Sequence, residues 1–566
     1  MATGGDRLLV AAIDFGTTYS GWAFSFKHDF DTNPSKVSMK TWTGNQLVSL
    51  KAPTCLLIKP DGKTMYSFGF DAETKYSELS QTKEHKKWYY FRRFKMNLWK
   101  KPLHGDTMLD DETGKSLRAL TVFSLCIRYM VEDMTAMYKQ QVSGMDPKNI
   151  HWVLTVPAIW DDAAKQFMRH AAEEAGISGS NLSIALEPEA ASIYCRQLPV
   201  HVDEQGRFSR FQTGTKYVVL DAGGGTIDIT VHEICDGGHL KELYKATGGA
   251  WGGTVVDNAF LDFIETLIGK DMLMRFKEEN MEDFIDFLRD FELKKRASES
   301  TRKENVTIKI PFDLIELVNS KVKSSPYNKQ VTLAGDKLRM DISVFRLFFK
   351  ESIDNIVMHV KDLLGNSEAS GVEAILMVGG YSESPILKET IQKEFPRMNI
   401  IIPPEPSLAI LTGAVIFGHC PHLIEQRVSK FIYGVKLKRE FVKGRDPKEK
   451  RIKTDAGIRC DDHFHIMVQS GEPLSIDDYQ FEERFPISFI YQKFVKVELY
   501  TTTIKHVKFV TDKGCKRIGS VTVPVSGRGI DRRVIIRLKF GGTELRLECE
   551  EEDTGLITSK FIDSFD

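Results

Sequence analysis

Along the first two thirds of the chain the apolar positions come in unbroken runs of strand length, whereas after about Ile424 they alternate with polar ones. Two of the runs are near copies, LLVAAIDFGTTY over residues 8–19 and YVVLDAGGGTID over residues 217–228. In each, an aspartate closes the run and glycine and threonine follow at once, which predicts a buried strand entering a tight turn. The doubling goes further. HWVLTVPAIW, from His151, reads as a buried strand, followed by a helix that Asp161 caps, with Ala164, Phe167, Met168, Ala171 and Ala175 on one face and Gly176 at its end. Ala374–Val378 is a second such strand, running into Gly379-Gly380-Tyr381, after which Ser384 and Pro385 open a helix as N-cap and first helical residue. Glu-Pro-x-x-Ala follows the first strand at Glu187 and recurs at Glu405. Strand, helix and Glu-Pro thus repeat together, and one α/β unit built twice around a shared ligand is expected over residues 1–420.

Beyond it, Tyr433, Val435, Leu437; Phe464, Ile466, Val468; Val495, Val497, Leu499; and Val521, Val523, Val525 keep a period of two, so residues 424–566 are expected to form a β-rich, sandwich-like domain. Its clearest hairpin turns at Gly541-Gly542. Lys83–Lys101 carries eight Lys or Arg among Trp88, Tyr89, Tyr90, Phe91 and Phe94. A partly buried helix or loop with snorkelling cations explains it better than a nucleic-acid platform, because the chain as a whole has a formal net charge of -1.

Composition narrows the class. At 566 residues, 42% hydrophobic and 27% charged, the chain is an ordinary globular protein of more than one domain, with no bulk attraction to nucleic acid or membrane. No apolar run approaches bilayer length, and Leu8–Ile13 is too short for a signal-peptide core, so no membrane insertion is expected. Eight cysteines stand singly, which fits a reducing cytoplasm.

The two turns suit a phosphate. Gly16 and Gly223, Gly224 and Gly225 let backbone N–H groups approach an anion, and Thr17, Thr18 and Thr226 add hydroxyls. Asp14 and Asp221 would repel that anion unless a hard divalent cation sat between, so the ligand read from these residues is a magnesium nucleotide. Other motifs carry less. Asp14-Phe15-Gly16 lacks the catalytic loop of a protein kinase, Gly114-Lys115-Ser116 lacks the leading glycine of a P-loop, and Gly380–Ser384 lacks the last glycine of a nucleophile elbow. His463-x-His465 is read as two surface histidines on a strand rather than as a metal site.

Taken in order, Asp14-x-Gly-Thr-Thr-Tyr19, Val153-x-Thr-Val-Pro157, Glu187-Pro188, Asp221-x-Gly-Gly-Gly-Thr-x-Asp228, Gly252-Gly253 and Val378-Gly379-Gly380 resemble the actin-fold ATPase domain of the 70-kDa heat-shock chaperones, over roughly residues 8 to 418. Phe94-Lys95-Met96, Ala250-Trp251-Gly252-Gly253 and Gly380-Tyr381-Ser382 are similar to a divergent branch of that family. The resemblance implies a duplicated actin-like fold, two lobes around a nucleotide cleft, followed by a β sandwich without a helical lid. It implies ATP or ADP with Mg²⁺ as ligands, with Thr17, Thr18 and Tyr19 gripping phosphate from one lobe and Gly223–Thr226 from the other. Asp14 and Asp221 would hold hydrated Mg²⁺; Lys95, Glu187, Thr226 and Asp228 would serve hydrolysis; Glu292 and Lys295 would bind ribose. Gly252, Gly253, Gly379 and Gly380, with Tyr381 beside them, would lie against the nucleoside.

Three departures stand out. Glu383 occupies the place of an arginine that stacks on the base. HLIEQRVSK, residues 422–430, is polar and charged where the family has an apolar linker that docks to couple the domains, which leaves that coupling open. The chain ends in FIDSFD, without the Glu-Glu-Val-Asp tail that recruits helical-repeat co-chaperones. The resemblance implies an ATP-binding, slowly hydrolysing chaperone-like protein whose β domain takes a protein or peptide client, with a nucleotide-gated scaffold as the alternative and a metabolite kinase behind it.

Overall fold

In the computed structural model the described residues are 7–44, 48–100, 105–141, 146–198, 201–202, 208–209, 212–298, 305–322, 325–476, 478–541 and 544–562. Two sheets of matching topology organise the first 420 residues. In the first, Leu9–Phe15 pairs antiparallel with Tyr19–Phe26 on one side and parallel with Ile150–Val156 on the other, and Leu182–Leu186 extends the parallel side. In the second, Lys216–Ala222 pairs antiparallel with Ile227–Ile234 and parallel with Val372–Val378, and Asn399–Ile401 again extends the parallel side. The duplicated two-lobed α/β architecture read from the sequence is therefore present strand for strand.

Each central strand is buried on both faces, which is why its sequence is a continuous apolar run rather than an alternation. Leu9, Ala11, Ile13 and Phe15 face the core of the first lobe, while Val10 and Ala12 face a second core shared with Tyr217 and Val219 of the other lobe. Two helices exchange across that shared core. Glu187–Cys195 leaves the first sheet to contact Lys216–Ala222, and Ala409–His419 returns from the second lobe to pack on Leu9–Phe15 and Ile150–Val156. They cross closely because Gly413 has no side chain, and a Cβ there would overlap the Ala190 carbonyl. The caps fall where expected. Asp161 accepts from Ala164 N at 3.0 Å and Gly176 takes φ +100°. Ser384 stands at the N-cap before Pro385 but makes no capping bond, and its buried Oγ is unpartnered.

The basic aromatic stretch corrects the sequence expectation of a helix or loop. Tyr89–Arg92 is a strand paired with Cys55–Ile58, flanked by single turns of helix. Its rings belong to the core: Tyr90 stacks on Tyr76 at 4.1 Å, and Phe94 packs edge-on to Phe123 at 4.9 Å. The strand is a short consecutive aromatic run, Tyr89-Tyr90-Phe91, buried at Tyr90 and Phe91, and the flanking lysines and arginines masked it.

Past residue 430 a five-stranded sheet and a four-stranded sheet face each other. Their common core includes Val435, Val497, Leu499 and Val521 from one and Ile536, Leu538, Leu547 and Cys549 from the other. Among the described residues no α-helix follows Ala409–His419, and none is long and apolar enough to cross a membrane. The last hairpin pairs Arg533–Gly541 with Glu544–Glu551, Gly541 opposite Glu544, and Gly542 lies outside the described residues.

The polar linker docks on the second lobe. Ile424–Val428 adds as an edge strand to the second lobe's sheet, parallel to Leu240–Gly249, and Pro473–Ser475 adds outside it. The contacts are polar instead of apolar. Arg427 makes a buried two-pronged bond to Glu189, at 2.6 and 2.7 Å, and Val428 N donates to Glu242 at 2.8 Å. Lys430 donates to the Ile159 carbonyl, the Tyr433 hydroxyl to Asp162 at 2.8 Å, and Arg169 reaches across to Glu544.

Candidate functional site

The two turns meet across a cavity of roughly 530 Å³ between the lobes. Each connects the antiparallel pair of its sheet, so the repeated topology sets them face to face. Their glycines are required by proximity. A Cβ on Gly16 would overlap the Tyr19 carbonyl, and one on Gly225 would come within 2.5 Å of the Thr17 hydroxyl, while Gly224 lies against Thr18. Thr17, Thr18, Tyr19, Gly223, Gly224, Gly225 and Thr226 all line the cavity.

Three carboxylates, Asp14, Asp221 and Glu187, line its floor, and a fourth, Asp228, lies behind it. Asp14 and Asp221 end the two central strands, Asp228 stands opposite Asp221 in the ladder, and Glu187 opens the first exchanged helix. All are buried, and each is treated differently by its neighbours. Burial would push the Asp14 carboxyl up, but the Lys51 ammonium at 2.5 Å, with Lys95 and the Thr155 hydroxyl at 2.8 Å, holds it below the usual range. Burial, reinforced by Glu187, Asp228 and Asp14, drives Asp221 well above it. Asp228 is also raised by burial, against the opposing effect of the Ile159 N–H, which donates to it at 2.9 Å. Glu187 is pushed up to about 7 by burial and by Asp14 and Asp228, although Lys95 donates to it at 2.8 Å. The Lys95 ammonium also sits 5.1 Å from the Trp160 ring.

Among the described residues no three His, Cys, Asp or Glu side chains could hold a metal ion together. The donor set still suits a hydrated divalent ion on one side, because Asp221 Oδ1 is buried without a partner while both oxygens of Asp14 are engaged. Gly379, at φ +83°, has its Cβ position filled by Asp221 and the Ala222 carbonyl, so glycine is obligatory there.

At the other end of the cleft Glu292 and Lys295 pair at 2.6 Å, and Lys295 also bonds Asp257 at 2.5 Å. Arg296 joins them, 2.7 Å from Glu292, 3.7 Å from Glu383 and 4.9 Å from the centre of the Tyr19 ring. Gly380 faces open space, Gly253 and Tyr381 line the cavity, and the Tyr381 ring packs on Phe349 at 6.5 Å. Gly252 is not among the lining residues. It braces the second turn, donating to the Gly225 carbonyl at 3.2 Å, and a Cβ on it would meet the Gly223 carbonyl at 2.6 Å. Asp228 likewise sits beneath the cavity wall.

Residues that sequence reading missed are those contributed across the fold: Lys51, Thr155, Arg296, and Arg93, whose guanidinium joins the lobes through Asp257 at 2.7 Å. Arg93 takes φ +54°, the left-handed region, one residue before the turn that carries Lys95.

Comparison with known proteins agrees with this geometry. The family model described as Hsp70 protein matches residues 31–421. Heat shock 70 kDa protein 12A of Mus musculus is 34% identical, with 98% of this chain and 90% of the relative covered. The Homo sapiens protein of that name is 33% identical, covering 95% and 89%, and heat shock 70 kDa protein 12B of Homo sapiens is 32% identical, covering 98% and 91%. With the twin sheets, the facing turns and these relatives together, the chain belongs to the Hsp70 family, in the neighbourhood of its 12A and 12B members.

Proposed function

We propose that this protein binds ATP or ADP with Mg²⁺ in the cleft and hydrolyses ATP slowly, as a chaperone-like protein of the cytoplasm whose β-rich domain, residues 424–566, takes a protein or peptide partner. The observation that carries the reading is the convergence of two glycine-threonine turns from opposite lobes above Asp14, Glu187, Asp221 and Asp228, with Lys95 held among them. Thr17, Thr18, Tyr19 and Gly223–Thr226 would cradle the phosphates, and Glu292, Lys295, Gly253, Gly380 and Tyr381 the nucleoside. A magnesium ion carried in with the phosphates would neutralise charge there, held through its waters by Asp221 and Asp14. Glu187 is suited to take a proton from an attacking water, since a carboxyl raised to about 7 is a stronger base than an exposed one. Lys95 orients that carboxylate, and Asp228 is fixed by the Ile159 N–H. Support for the partner reading comes from the loop between the strands Tyr479–Pro486 and Phe494–Thr502. It exposes Phe489, Ile490 and Tyr491, and the buried Arg532 holds it by donating to the Phe489, Ile490 and Gln492 carbonyls. The eight cysteines are all free thiols, which favours a reducing compartment.

A nucleotide-gated scaffold with little turnover is the second reading, favoured by Lys51, which already occupies the Asp14 carboxylate. Calorimetric titration with Mg-ATP and single-turnover hydrolysis, on the wild type and on Asp228→Asn, separate the two. The ATPase reading expects binding within a few-fold in both, and hydrolysis lower in the variant by about tenfold or more, because Asp228 contributes mainly in the transition state. Binding without any turnover above the variant's background would replace it with the scaffold.

A further inference from the structure

Lys51, a cation that sequence reading missed, lines the cavity beside the first turn. Lys51 is carried to the first turn by its neighbours, since Ala52 and Pro53 pair with Ser20 and Tyr19, and Thr54 N donates to the Thr18 carbonyl at 2.8 Å. Its aliphatic stem then crosses Gly21, the residue paired with Asp14 in the ladder, where a Cβ would lie 3.0 Å from Lys51 Cγ. The missing side chain at Gly21 is what opens the way. The ammonium ends 2.5 Å from Asp14 Oδ2 and 2.5 Å from the carbonyl of Ser407, whose segment also receives Gly379 N on the Pro406 carbonyl. One side chain of the first lobe is thereby tied to the strap that closes the second.

An ammonium has three donors, and among the described residues two of these are taken by Asp14 and Ser407, while Lys51 itself lines the cavity beside Thr17 and Thr18. Its side chain is only 11% exposed, so its charge is little screened by water. We propose that Lys51 is a resident cation of the nucleotide site: it neutralises Asp14 and offers its remaining donor to a bound phosphate, performing part of the work otherwise left to a divalent ion. Nucleotide binding should therefore survive metal removal, and should do so through Lys51. The inference rests on the nucleotide reading above, and its test distinguishes the two.

ADP is titrated calorimetrically into the full chain in excess Mg²⁺ and in excess EDTA, for the wild type, Lys51→Met and Lys51→Arg, with thermal unfolding recorded to show that each is folded. In EDTA the wild type is expected to lose about tenfold or less in affinity. Lys51→Met is expected to lose about ten- to a hundredfold more, the worth of one hydrogen bond to a charged group, while Mg²⁺ restores most of it and Lys51→Arg retains it. A wild type that loses ADP altogether in EDTA but binds it with Mg²⁺ overturns the proposal, as does a Lys51→Met variant no more sensitive to EDTA than the wild type. Gly21→Val, which blocks the stem and leaves Lys51 in the sequence, should reproduce Lys51→Met, and wild-type behaviour there counts against the proposed path. Absence of ADP binding with and without metal would remove the nucleotide reading, and this inference with it.

Discussion

Replacing Arg427 by methionine should release the linker strand from the second lobe. The side chains of Arg427 and Glu189 are 11% and 5% exposed and joined by two hydrogen bonds of 2.6 and 2.7 Å, so the pair is effectively out of water. Arg427→Met leaves Glu189 buried and unpaired, and removing one partner of a buried pair costs about 3–5 kcal/mol. The protein need not bear that cost globally. If Ile424–Val428 lifts off, water reaches Glu189, so the penalty appears as local opening of the strand up to the free energy that docks it. Hydrogen exchange reads this directly at the amide of Val428, which now bonds Glu242, and across the pairing of Gln426 with Ser475. Exchange there should quicken by about a hundred- to a few thousandfold, the range corresponding to 3–5 kcal/mol, while amides of the central strand Lys216–Ala222 stay unchanged. Adding Glu189→Leu should recover most of the protection, because two apolar groups can replace a buried pair at little cost. Exchange within about threefold of wild type in Arg427→Met alone would show that the edge strand is held by its backbone ladder and not by the buried pair, and the polar docking argument would fail.

Glu187 is pushed to about 7 by its burial, with the neighbouring carboxylates adding to it and Lys95 opposing. The protonated form cannot accept a proton from water, so single-turnover hydrolysis should rise between about pH 6 and 8, and Glu187→Gln should be slow and flat across that window. The same shift has a stability consequence of fixed sign. A carboxyl raised in the fold stabilises most below its ordinary pKa, and that contribution disappears as pH climbs through about 7, so the wild type should lose more stability over this interval than Glu187→Gln in a denaturant series. At the base end, Glu383→Arg should strengthen ATP binding about two- to tenfold in calorimetry by supplying a stacking cation, and no gain would show that Arg296 already supplies what the base needs.

The duplication and the turns were legible in the sequence because they depend on local chemistry. A strand buried on both faces must be a continuous apolar run, and backbone brought within contact of Thr17 and Thr18 must be glycine, so Gly224 and Gly225 announce a close approach before any fold is known. Lys51, Arg296 and Arg93 follow no such rule. Each is one charged residue whose role depends on what a distant segment sets opposite it, Asp14, Glu383 and Asp257 respectively. The basic stretch after Lys83 failed in the opposite direction, since the consecutive aromatics Tyr89, Tyr90 and Phe91 have strand propensity but were outweighed by the charge around them.

The linker docks although its composition is polar, and a docked segment need not bury apolar surface. An edge strand already gains a ladder of backbone bonds, and what decides whether it stays is how its side chains meet the groove. The groove carries two buried carboxyls, Glu189 between Pro188 and Ala190, and Glu242 in the run from Leu240. Both are buried, and a buried carboxylate must find a partner or lose its charge. Glu189 finds Arg427, while Glu242, raised to about 8 by burial with Glu189 adding and Val428 N–H opposing, takes the amide of the next residue. An apolar linker would leave both carboxyls stranded, so in this chain the polarity of residues 424–430 is the condition for docking. Lys430 carries the consequence inward: it bonds the carbonyl of Ile159, the residue whose N–H holds Asp228, so a movement of the strand bears on a carboxylate of the nucleotide site through a single residue.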